Sequence, residues 1–68
     1  MEKIFYNFGE DDTIELLNNI LLEGKYLKTV DNPSYGYEQE YYRYNDKIFI
    51  ITRRNGEYIY IERVVYRA

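Results

Sequence analysis

Asn55-Gly56 constrains this chain more than any other pair of neighbours. A two-residue turn of type I′ needs positive φ at both central positions, and Asn-Gly supplies it most readily. The flanking runs, Lys47–Arg53 and Glu57–Tyr66, are rich in β-branched and aromatic residues, so the pattern predicts a hairpin. A fixed turn fixes a register. Arg54 is expected opposite Glu57, Arg53 opposite Tyr58, Thr52 opposite Ile59, Ile51 opposite Tyr60, and Ile50 opposite Ile61. Asn45-Asp46 tolerates the same backbone less easily. As a second tip it sets Tyr37–Tyr44 beside Lys47–Arg53, with Tyr42 across from Phe49, Tyr41 from Ile50 and Glu38 from Arg53.

Upstream the periodicity changes. Ile4–Phe8 reads as a short strand, broken by Gly9-Glu10-Asp11-Asp12. Asp12-Thr13-Ile14-Glu15 fits a capping box with Asp12 as the cap. Ile14, Leu17, Ile20 and Leu21 recur at helical spacing, which predicts a helix over 12–23 closed by Gly24 as a left-handed cap. Lys25–Val30 is compatible with a strand, and Asp31–Gly36, with the only proline, is a turn. The expected fold is α+β: one α-helix packed on a four- to five-stranded antiparallel β-sheet ending in a three-stranded meander. With 68 residues, the expectation is a single domain over 1–68.

So short a chain buries only about 60% of the surface its unfolded form exposes. Cysteine and histidine are both absent, so the usual supports of a mini-protein, disulfides and thiolate metal sites, cannot form. Either the core is well made for its size, or a partner protein or a second copy (a homodimer) completes it.

The expected register sorts the strands into two faces. One carries Tyr41, Ile48, Ile50, Thr52, Ile59, Ile61 and Val65; the other carries Tyr42, Tyr44, Phe49, Ile51, Tyr58, Tyr60, Val64 and Tyr66. The helix stripe is aliphatic, so it is expected on the isoleucine face. The tyrosine face is then left open, which the amphipathic ring and hydroxyl of tyrosine tolerate. Such a ladder can simply hold a sheet together, at about 0.2–1 kcal/mol per cross-strand pair. The sharper expectation is a contact surface made by Tyr42, Tyr44, Phe49, Tyr58, Tyr60 and Tyr66, because tyrosine buries much area with few rotors.

Catalysis by this chain is not expected. The Ser-His and Cys-His nucleophile pairs are ruled out. Ser34 is the only serine, the four glycines are isolated, and no spaced set of oxygen ligands such as an EF-hand loop occurs. No cofactor and no metal are expected. Nucleic acid is disfavoured by the net charge of −3, since binding to phosphates is driven by neutralisation. The function expected is non-catalytic protein–protein interaction, as a modulator or inhibitor of a larger, unidentified protein. The alternative is weak binding of single-stranded nucleic acid on the aromatic face.

The N-terminal residues show no apolar run of signal-peptide length, and no stretch approaches a membrane span of about 20 apolar residues. A cytoplasmic protein is expected. Abundant Ile, Tyr, Asn, Glu and Lys with a single alanine imply AT-rich codons, as in a low-GC bacterium or a phage.

Overall fold

Both hairpin tips adopt the backbone that a type I′ turn requires. Asn55 and Gly56 have φ of 52° and 82°, and Asn45 and Asp46 have φ of 51° and 59°. They join the last three strands of a computed structural model that describes residues 2–9 and 11–65. In chain order the elements are β1 (Glu2–Asn7), α1 (Asp11–Glu23), β2 (Lys25–Asn32), β3 (Tyr37–Tyr44), β4 (Lys47–Arg54) and β5 (Glu57–Val65). The strands form one antiparallel sheet in the order β1-β5-β4-β3-β2.

The α+β architecture is as expected: one helix packed on five antiparallel strands, ending in the β3-β4-β5 meander. The two N-terminal strands take opposite edges. β1 pairs with β5 and β2 with β3, so β1 and β2 run parallel with three strands between them. α1 is the connection that carries the chain from one edge to the other across one face.

The helix begins at Asp11, so Asp12 lies inside the first turn rather than at the cap. Its charge still suits the positive end of the helix dipole. At the other end the Gly24 N–H donates to the Ile20 carbonyl at 2.8 Å. Gly24 is not left-handed: among the described glycines only Gly36 and Gly56 have positive φ. Glycine is needed there for space, because an added Cβ would collide with the Ile20 carbonyl oxygen.

The predicted β3–β4 register holds in full, from Glu38 opposite Arg53 to Tyr42 opposite Phe49. The β4–β5 register holds only for the first two pairs, Arg54 with Glu57 and Arg53 with Tyr58. A bulge then leaves Ile59 unpaired, and Thr52 faces Tyr60, Ile51 faces Ile61 and Ile50 faces Glu62. Side chains alternate along a strand, so one extra residue sends every later side chain of β5 to the other face. Ile61 and Arg63 join the face of Phe49 and Ile51; Tyr60, Glu62 and Val64 join the face of Ile50.

The expectation that α1 covers the isoleucine face is corrected by the packing. Leu17 and Ile20 of the helix form one buried cluster with Phe49, Ile51 and Ile61, surrounded by Tyr6, Phe8, Leu16, Tyr42, Tyr44 and Tyr58. Ile20, Ile51 and Ile61 have no exposed surface, and each full burial stabilises by about 1.5–3 kcal/mol. The bulge is the physical reason. By setting Ile61 against Ile51 it builds an aliphatic centre on this face, and it moves Glu62 to the middle of the other. A helix stripe of leucine and isoleucine packs on that aliphatic centre, while Glu40, opposite Ile51 on the same face, lies 3.8 Å from the Arg53 guanidinium.

Candidate functional site

The face away from α1 has no covering element among the described residues. Its side chains follow in rows across the five strands. The first row, from β1 to β2, is Lys3, Val64, Ile48, Arg43 and Lys25. The second is Phe5, Glu62, Ile50, Tyr41 and Lys28; the third is Asn7, Tyr60, Thr52, Gln39 and Val30. At the hairpin end Glu57, Arg54, Tyr37 and Asn32 make a shorter fourth row.

The floor of this face is low and screened, and its rim is tall. Ile50, Thr52, Glu62 and Val64 are buried although no helix lies over them, because longer neighbours lean across. Phe5 is 55% exposed and its ring meets Tyr60 at 5.7 Å between centroids. Tyr41 carries the Lys28 ammonium 4.7 Å from its ring centre, a cation–π contact. Tyr37 stacks with Tyr35 at 6.1 Å and 27°. The Glu62 carboxylate is neutralised by Lys3 at 3.2 Å, and the Gln39 amide donates to the Thr52 hydroxyl at 3.5 Å.

Charge is segregated between the two sides. Among the described residues the open face carries five bases, Lys3, Lys25, Lys28, Arg43 and Arg54, against two acids, Glu57 and Glu62. That is a net of +3 on one face of a chain whose total is −3. The opposite face of the sheet carries the acids Asp31, Glu38 and Glu40 beside the bases Lys47, Arg53 and Arg63, and the acids Asp12, Glu15 and Glu23 belong to α1.

Of the residues expected to form the contact surface, Tyr42, Tyr44 and Tyr58 pack on the core under the helix, and Phe49 belongs to the core itself. Their placement on an open face is therefore corrected; the bulge and the helix position account for it. Tyr60 alone lies on the open face, and Tyr66 lies outside the described residues. Phe5, Lys3 and Lys28 went unnoticed because their place depends on which edges β1 and β2 take, and no local pattern signals that. The β3–β4 register alone puts Tyr41 and Arg43 on the face of Ile50; that this face is the open one follows from the bulge.

The titratable cluster on the helix side is structural in character. The Arg53 guanidinium donates to Glu38 Oε2 at 2.8 Å and lies 3.8 Å from Glu40 Oε1. These partners, the hydrogen bond to Glu38 first, hold Arg53 more firmly protonated. The Tyr42 hydroxyl donates to Glu40 Oε2 at 3.4 Å. Its pKa is raised above 10.0, first by burial and then by the charge of Glu40. Among the described residues no three acids gather as a metal site would need, and no helix is long and apolar enough to cross a membrane.

Comparison with family models, curated proteins and solved structures finds no match to this chain.

Proposed function

We propose that this protein is a small non-catalytic interaction module that engages a larger partner through the open face of its sheet and modulates it by occupying the partner's surface. One observation carries this reading: an uncovered sheet face sets Phe5, Tyr37, Tyr41 and Tyr60 among five basic side chains, away from the acids of the helix side. Aromatic and arginine side chains are enriched at interfaces, and a positive face selects a negative partner.

The partner class is open to two readings. An acidic surface on a larger protein suits a modulator or inhibitor. A single strand of nucleic acid is the second reading, and the interleaving of rings with bases favours it. The net charge of −3 weighs against it, but Arg43 and Arg54 lie on the open face.

The test is capture of macromolecules, protein and nucleic acid alike, from a low-GC bacterial lysate. Phe5→Ser combined with Tyr60→Ser should abolish capture. Leu22→Ser, at a position 82% exposed on the helix, should leave it unchanged. Capture that survives the open-face change would refute the reading.

A further inference from the structure

We infer that the open face is a site for single-stranded nucleic acid; this rests on the interaction-module reading and names the occupant of the same surface. Three features of the face bear on the choice.

The first is the alternation of ring and charge. Single strands are held by aromatic side chains on which bases stack and by a positive track for the phosphates. Here Phe5 and Tyr60 form one ring pair at the β1–β5 side. Tyr41 stands two strands from β5, on β3. Arg43 and Lys25 stand side by side in the first row, next to Tyr41 in the second, and Lys28 lies opposite Tyr41. A row across five strands spans about 19 Å at the usual strand spacing, room for the two or three stacked bases that aromatic sheets of this kind take.

The second is the state of the charges. Lys3 is spent on Glu62. Lys25, Lys28, Arg43 and Arg54 have no ion-pair partner within 4.0 Å among the described residues and are exposed. The acids of the helix side lie across the sheet, where screening over about 8 Å at physiological salt weakens their repulsion.

The third concerns the other occupants. A two-fold dimer through this face would set +3 against +3, because an isologous contact uses the same patch twice. An acidic protein surface would satisfy the bases but must also place a ring or guanidinium plane against the exposed Phe5, whereas every nucleobase brings a π-face of its own.

The experiment is fluorescence anisotropy with labelled oligo(dT) and oligo(rU) of about 12 nucleotides, beside a polyglutamate of matched charge. At about 50 mM salt the expected dissociation constant is on the order of 10 µM. With four free bases, the affinity should fall roughly fiftyfold for a fourfold rise in salt, a log–log slope of about −2.8. Removing Phe5 and Tyr60 as rings should cost about tenfold each. Arg43→Gln with Arg54→Gln should flatten the slope by about 1.4; both side chains are exposed, so this variant tests the site even if the ring variant is unstable. Equal binding of polyglutamate, oligonucleotide binding indifferent to the arginine pair, or a dimer in sedimentation that the ring variant dissolves would each overturn the inference. Loss of oligonucleotide binding alone, with open-face-dependent capture retained, would leave the interaction module standing with a protein as its partner.

Discussion

Ile51 stands opposite Ile61, not opposite Tyr60. That single pairing, set by the unpaired Ile59, decides which face of the sheet becomes the core and which remains open. The core then has an aliphatic centre ringed by tyrosines, and the open face has a buried carboxylate paired with Lys3.

Substitution at the two ends of this pair tests the face assignment. Ile51→Asp and Ile61→Asp each bury an unpaired carboxylate at a cost of several kcal/mol, against a total stability of about 3–5 kcal/mol for a domain this small. Neither variant should show a cooperative thermal transition. Ile50→Asp, one position along β4 and facing away from the helix, sets a second carboxylate opposite Glu62. It should lower the melting temperature, yet less than the other two changes, since no element covers that face and small movements of its neighbours admit water. Leu22→Lys should stay within about 0.5 kcal/mol of the parent. A folded Ile51→Asp protein beside an unfolded Ile50→Asp protein would reverse the two faces.

Tyr58 and Tyr60 are two residues apart and would share a face in a regular strand; the bulge separates them. Tyr58 packs against the core and meets Phe8 at 6.1 Å, so Tyr58→Ser should cost about 2–3 kcal/mol by the loss of a packed ring. Tyr60→Ser removes a ring of the open face and should cost about 0.2–1 kcal/mol. Chemical denaturation of the two variants measures the difference. Equal losses would argue that the ladder between β4 and β5 is unbroken.

The hairpin tips differ in what they ask of their residues. Asp46 is held at φ 59°, where a Cβ is unfavourable and glycine is not. Asp46→Gly should therefore stabilise the protein by about 0.5–1 kcal/mol, partly offset by the greater freedom of glycine in the unfolded chain. A rise in melting temperature checks this. No gain would show that the Asp46 carboxylate supplies a compensating interaction.

The legible parts of the fold were those with local causes. Both tips announce themselves through residues that accept positive φ, and the helix through its period and acidic first turn. The β3–β4 register follows from its turn alone. The bulge at Ile59 has no such mark: Ile59 is as good a strand residue as its neighbours, and it is displaced because the shift sets Ile61 with Ile51 and Phe49 under the helix. The aromatic surface could be foreseen in kind, but its members depended on that shift and on the long-range choice of edges by β1 and β2. Hence Tyr60 was anticipated on an open face and Phe5 was not.

Tyr42 gives the fold a spectroscopic signature at high pH. Burial beneath the helix layer, the charge of Glu40 and the hydrogen bond to Glu40 raise its pKa. The folded state thus holds this proton more tightly than the unfolded state does. Below pH 10 both states are protonated and the group has no effect on the pH dependence. Above the ordinary tyrosine value the unfolded chain ionises first, so stability should fall as pH rises toward the folded pKa of Tyr42. In an absorbance titration of phenolate, Tyr42→Phe should remove a step that lies above the ordinary tyrosine value. The same variant should lose less stability than the parent between neutral pH and the alkaline limit. Glu40→Gln should move the Tyr42 step downward, because it deletes the repelling charge while keeping a side chain of the same size. A Tyr42 step no higher than the ordinary tyrosine value would show that its hydroxyl reaches water, and that the helix does not close over this side of the sheet.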